Sequence, residues 1–170
     1  MIKFIILILL VLPISFSVLI FGLSKYYKSQ RIRLTGLLGD INIKRIENIK
    51  TYGREENGWK NNFPSSLGWG KTTLHINSDF ILVSGKSDFP FLFKSDLQPF
   101  ILANYPESIK VKTGFSRVYL PSQIRTTNSG NDLELTIMPS GAFGQLKIHL
   151  TFEHIGKKDL SQLFEIMEWY

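Results

Sequence analysis

The 170-residue sequence contains no cysteine, which removes a disulfide framework, a thiolate nucleophile, a zinc ribbon, an iron–sulfur cluster and an acylated lipoprotein cysteine together. Catalytic patterns are equally scarce. No Gly-x-Ser-x-Gly elbow occurs, so the nucleophile of an α/β-hydrolase has no seat. Gly85-Lys86-Ser87 ends like a P-loop, but position 80, where the first glycine belongs, is Phe. Only three histidines are present. His75 and His149 take the outward register of strand patterns, and His149 and His154 lie five apart with no carboxylate at a recognisable ligand spacing. The expectation is a protein that is not an enzyme and holds no metal or cofactor.

Charge is missing from residues 4–23. This run extends from Phe4 through Leu10 and Pro13 to Leu23, and sixteen of its twenty residues are Ile, Leu, Val or Phe. As a helix it would measure about 30 Å, the hydrocarbon thickness of a bilayer. A transmembrane anchor over residues 1–23 is therefore expected, with the lipid bilayer as first partner. Pro13, with Ser15 and Ser17 nearby, is tolerated in such a span.

The net charge of +6 is unevenly placed. Residues 24–60 hold nine basic and four acidic side chains, whereas residues 61–170 hold ten of each. A nucleic-acid binder would carry its excess on the folded module, so that class is set aside. Lys25, Lys28, Arg31 and Arg33 follow the apolar run before any acid, and the other flank offers only Lys3. By the positive-inside rule the C-terminal side faces the cytoplasm, at a cell membrane crossed once, and the four cations lie at headgroup level beside Tyr26 and Tyr27. The alternative is a cleaved signal peptide, since Gly22-Leu23-Ser24 loosely fits a processing site. That reading gives an exported β-domain that binds an envelope component or ligand.

Residues 24–67 read as a basic juxtamembrane connector and aromatic loop. Ile41, Ile43, Ile46 and Ile49 have a spacing that fits neither strand nor helix cleanly, with helix slightly preferred over 31–50. Residues 51–70 are rich in Gly, Asn, Ser and Pro and read as loop, with Trp59, Phe63 and Trp69 packing back on the domain.

From residue 71 the period is two. Thr72, Leu74 and Ile76 alternate, Asn77-Ser78-Asp79 turns, and 80–84 returns; 89–93 forms a third, edge-like strand. Residues 109–112 and 117–120 read as a hairpin around Thr113-Gly114. Residues 123–127 pair with 133–138, and 145–152 closes the strand series. Six or seven short antiparallel strands imply a barrel or sandwich. The period then changes to 3.6: Leu160, Leu163, Phe164 and Met167 form one stripe of a C-terminal helix that must lie on the sheet. Trp169 falls among the polar positions and is either a frayed terminal residue tucked over the barrel rim or a candidate contact for a protein partner.

The hairpin TLHINSDFILVSG, the aromatic strand FPFLF and the single closing helix together resemble the pleckstrin-homology-like barrels, including the membrane-tethered bacterial kind and the GRAM group. The resemblance covers residues 68–170 and implies a binding or scaffolding module. The Lys and Arg cluster with which lipid-binding members grip an inositol phosphate has no counterpart at Asn77-Ser78-Asp79 or Ser84-Gly85-Lys86. The expectation for the whole chain is a single-pass, membrane-anchored, non-catalytic module in which an N-terminal transmembrane helix precedes a mainly antiparallel β barrel or sandwich with a capping C-terminal α-helix.

Overall fold

The computed structural model of the chain describes residues 2–38, 44–56, 66–67, 70–87, 95–96, 98–138 and 147–168, of which 2–10, 37–38, 54–56, 66–67, 87, 95–96, 128 and 166 are described by backbone alone. Helix α1 runs without a break over Ile2–Leu38, 37 residues that include Pro13, and so measures about 55 Å. Ser15 and Ser17 donate their hydroxyl protons to the carbonyls of Val11 and Pro13, each at 2.8 Å. Both polar groups near the proline are thus satisfied within the helix. Among the described residues no helix is long and apolar enough to cross a membrane, so they do not show the spanning helix expected over 4–23. The side chains of Phe4 and Leu10 lie outside the described residues.

Strands follow in the order β1 (Lys44–Glu56), β2 (Ser66–Leu67), β3 (Lys71–Ile76), β4 (Ile81–Ser87), β5 (Ser95–Asp96) and β6 (Phe100–Leu102). Helix α2 (Pro106–Thr113) precedes β7 (Val118–Tyr119), β8 (Pro121–Thr127), β9 (Asp132–Ile137), β10 (Lys147–Glu153) and helix α3 (Lys157–Ile166). The sheet order is β7-β6-β4-β3-β1-β10-β9-β8, with β2 on β1 and β5 on β4. Every pair is antiparallel except β6 with β7.

The two edge strands are consecutive in the chain, separated by Leu120 alone. Two Cα steps hold Tyr119 and Pro121 within about 7.6 Å. The edges therefore meet, and eight strands curl into a nearly closed barrel whose interior is just wide enough to be filled by side chains. Leu74, Ile76, Ile81, Val83, Phe100, Leu102, Leu133, Leu135, Ile137, Leu150 and Phe152 point inward and are buried.

Helix α3 closes this interior. Leu160, Leu163 and Met167 are buried in the same core and Phe164 packs against it, as the stripe in the sequence requires. Its ends are tied down. The amides of Ile155 and Gly156 donate to the carbonyl of Asn131, and the amide of His154 to Oδ1 of buried Asp132. Lys44 Nζ reaches Asp159 at 2.7 Å and also Gln162, and Asn104 Nδ2 donates to the Met167 carbonyl.

Two sequence expectations give way. Residues 44–56 form a central strand, not a helix end followed by a loop. The spacing of Ile46 and Ile49 reflects a bulge: the β1–β3 register shifts between them and Asn48 takes φ 60°. The extra residue returns both isoleucines to the core side. Residues 106–113 form α2 where a hairpin was expected, because Pro106 opens it, Lys110 and Lys112 lie in its last turn, and Gly114 ends it at φ 62°. Residues 89–93, Trp59, Phe63 and Trp69 lie outside the described residues.

Removing the Leu163 side chain, fully buried at 0% exposure, is expected to cost about 2–5 kcal/mol in Leu163→Ala. Glu165→Ala on the exposed face should change stability by about 0.5 kcal/mol or less. Denaturant unfolding of the two variants checks this; equal midpoints would show that α3 does not close the core.

Candidate functional site

Strands β4 and β6 are buried on both faces. Phe80 and Leu82, with Ile101 and Ala103, turn outward, alternating with Ile81, Val83, Phe100 and Leu102 inside. The outer set is covered by Leu34 of α1, Ile109 of α2 and Val118 of β7, with Phe115 against them. The last turns of α1 are thereby packed on the barrel wall.

A cleft of about 290 Å³ opens beside this contact, between α1, the loop from α2 into β7, and Gln98 ahead of β6. Its α1 wall is Tyr26, Gln30 and Arg33, spaced i, i+4, i+7 on one helix face. The opposite wall is fixed by local bonding. The Gly114 amide donates to the Lys110 carbonyl at 2.8 Å, and Thr113 Oγ1 donates to the Ile109 carbonyl at 2.7 Å while accepting from the Phe115 amide. The Arg117 carbonyl accepts from the Ile101 amide at 2.9 Å, so Arg117 is anchored in the sheet while its side chain stays exposed.

The Arg33 guanidinium lies over Gly114, with one nitrogen 3.8 Å from where a Cβ at that glycine would stand. Neither Arg33 nor Arg117 forms an ion pair among the described residues. No Asp or Glu lines the cleft. Gln30 Nε2 donates to the Tyr26 hydroxyl at 2.6 Å, but its Oε1 is buried without a hydrogen-bond partner. The described lining thus brings two guanidinium groups together with the hydroxyls of Tyr26, Thr113 and Ser116 and carries no carboxylate.

The four cations read as one headgroup cluster are dispersed around α1. Lys25 and Lys28 are exposed, and the Lys25 ammonium sits 4.7 Å from the centre of the Phe21 ring. Arg31 turns toward the barrel near His75, and Arg33 enters the cleft. Pro13 and Leu23 lie on the exposed part of α1. Trp169 lies outside the described residues. Arg117 escaped sequence reading because its segment was taken as a strand; the Pro106…Gly114 helix signature was the signal available.

His75 takes the outward register but is buried, 7% exposed, rather than facing solvent. Its pKa is lowered, first by burial, then by the positive charge of Arg45 and Arg31, with Glu47 opposing weakly. His149 Nδ1 is 3.0 Å from Thr136 Oγ1, its cross-strand neighbour. Among the described residues no group of His, Asp and Glu could hold a metal ion. No family model, curated protein or solved structure matches the chain.

Because the folded pKa of His75 lies below the ordinary 6.5, the unfolded chain takes the proton first. The stability contribution of neutral His75 is complete above pH about 6.5 and falls as pH drops through that value toward the folded pKa. The thermal midpoint should thus fall between pH 7.5 and 5 by more in the native chain than in His75→Leu. Parallel pH profiles for the two proteins would refute the assignment.

Proposed function

We propose that this chain is a single-pass, membrane-anchored, non-catalytic binding or scaffold module, with its β domain on the cytoplasmic side. The observation that carries the reading is the continuity of α1 over Ile2–Leu38. On its described portion Val11, Leu12, Ile14, Phe16, Val18, Leu19, Phe21 and Leu23 are all exposed. At about 100° per residue these positions cover about 220° of the helix surface, and so wide an exposed apolar face calls for lipid or other protein around it. The uncharged run 4–23 has the length a bilayer core requires.

The same helix ends on the barrel wall at Leu34. Residues 24–38 amount to about 22 Å of helix, so the module is held close to the membrane by a stiff stalk. A nearly closed barrel closed by a C-terminal helix supports the likeness to pleckstrin-homology-like modules and with it a binding rather than catalytic role. The positive flank of Lys25, Lys28, Arg31 and Arg33 supports the cytoplasmic placement.

The full-length protein is expected to stay in the membrane through carbonate extraction and to keep its N-terminal residues. A mature chain beginning near Lys25 would replace this reading with the exported one. Neutralising all four flanking cations should weaken or invert insertion, read by cysteine accessibility of sites placed in the β domain; identical labelling before and after would remove the charges as topology determinants.

A further inference from the structure

We propose that the cleft between α1 and the α2–β7 loop binds a phosphate ester bearing a hydroxyl donor, of the phosphoglycerol type, presented by an anionic lipid headgroup or as the free ester. Three observations converge on it. Arg33 and Arg117 face one cleft from different elements, with no carboxylate lining it and no ion pair to either among the described residues. Two guanidinium forks suit the planar, bidentate recognition of phosphate oxygens. The negative end of the α2 dipole at Gly114 accounts for the position of Arg33, but not for Arg117.

The second observation is the orphaned Gln30 Oε1. A buried acceptor without a partner is unfavourable, and a turn of the Gln30 side chain into the cleft on binding lets a donor of the ligand satisfy it. A phosphate diester has no donor of its own at neutral pH, whereas a glycerol hydroxyl supplies one. Gln98 and Ser116 add further polar groups to the wall.

The third is size and depth. At about 290 Å³ the cleft lies at the small end of the roughly 300–1,000 Å³ of ligand sites, which suits a headgroup better than a nucleotide. Tyr26 stands about 4.5 Å of helix rise beyond Leu23 and Gln30 about 10 Å. Arginine side chains on a helix lean toward its N-terminus, here toward the bilayer. The Tyr26 end of the cleft therefore falls in the headgroup layer, about 5–7 Å thick on each side, with Arg33 about 15 Å beyond Leu23 and its side chain leaning back toward that layer. The lipid source rests on the membrane-anchor reading; the phosphate-ester chemistry does not.

The test uses the full chain in two settings. In detergent, sn-glycerol 3-phosphate is titrated and the shift of the Gln30 side-chain amide is followed by NMR. In nanodiscs of phosphatidylcholine with or without phosphatidylglycerol, retained lipid is counted by native mass spectrometry. Arg33→Gln/Arg117→Gln should weaken glycerol phosphate binding or phosphatidylglycerol retention at least tenfold with an unchanged thermal midpoint, while Lys158→Gln, an equal step in charge for each residue changed, should leave both unaltered. Retention of phosphatidylglycerol alone assigns the lipid source, and binding of the free ester alone assigns a soluble one. Equal binding by the double variant and Lys158→Gln, or binding in neither setting, overturns the proposal. Release of the chain by carbonate with ester binding intact would remove the anchor reading and leave the site standing.

Discussion

The burial of Phe80, Leu82, Ile101 and Ala103 on the outer wall of the barrel is the contact on which the other features depend. A barrel wall normally alternates apolar inside and polar outside. Here two adjacent strands are apolar on both faces, and the second face cannot be left in water. Leu34, Ile109 and Val118 cover it, and fully burying one such aliphatic side chain contributes about 1.5–3 kcal/mol. This outer core fixes the end of α1 on the barrel, brings α2 alongside, and places Arg33 opposite Arg117. Without it the helix would be a tether and the cleft would have one wall.

Closure of the barrel follows from a different constraint. Because Leu120 alone separates the strands at the two sheet edges, covalent connectivity brings the edges together at that point, and the edge strand β7, two residues long, offers little unpaired backbone. The connection that makes this possible is the parallel step from β6 to β7 through α2. Antiparallel neighbours can be joined by a tight turn, whereas parallel neighbours need a crossover. Helix α2 therefore makes the crossover, and the loop that leaves its last residue, Thr113, forms one wall of the cleft.

Much of the architecture was legible where periodicity was clean. The hairpins of β3 with β4 and β8 with β9, the strand β10 and the stripe of α3 all stand in the residues as the structure has them. Two failures have physical causes. The i, i+3 spacing of Ile46 and Ile49 reads as helical until a residue in the left-handed region, Asn48, supplies the bulge that makes it a strand. Thr113-Gly114 reads as a hairpin turn because a glycine at positive φ serves both a turn and a helix C-cap. That second misreading hid the cleft, since the distance between residues 33 and 117 in sequence is bridged only by the outer core.

The cations after the apolar run show how one segment can meet several demands at once. A topology signal needs only charge, and lysine would serve at all four positions. Lysine stands at 25 and 28, away from the described cleft, and arginine at 31, half-buried and near His75, and at 33, exposed but lining the cleft. An ammonium is a hydrated point charge suited to a headgroup layer, whereas a guanidinium offers a rigid fork to a shaped site. The helix also sets their phase. Each residue inserted between 24 and 33 would move the apolar run about 1.5 Å further from the barrel and turn Leu34 by about 100° away from Phe80 and Leu82, whereas seven residues, close to two full turns, would restore the contact with the apolar run about 10 Å further away. The distance of the apolar run from the barrel and the meeting of Arg33 with Arg117 at one cleft are thus coupled through the helical repeat, and only near-integral turns change one without losing the other.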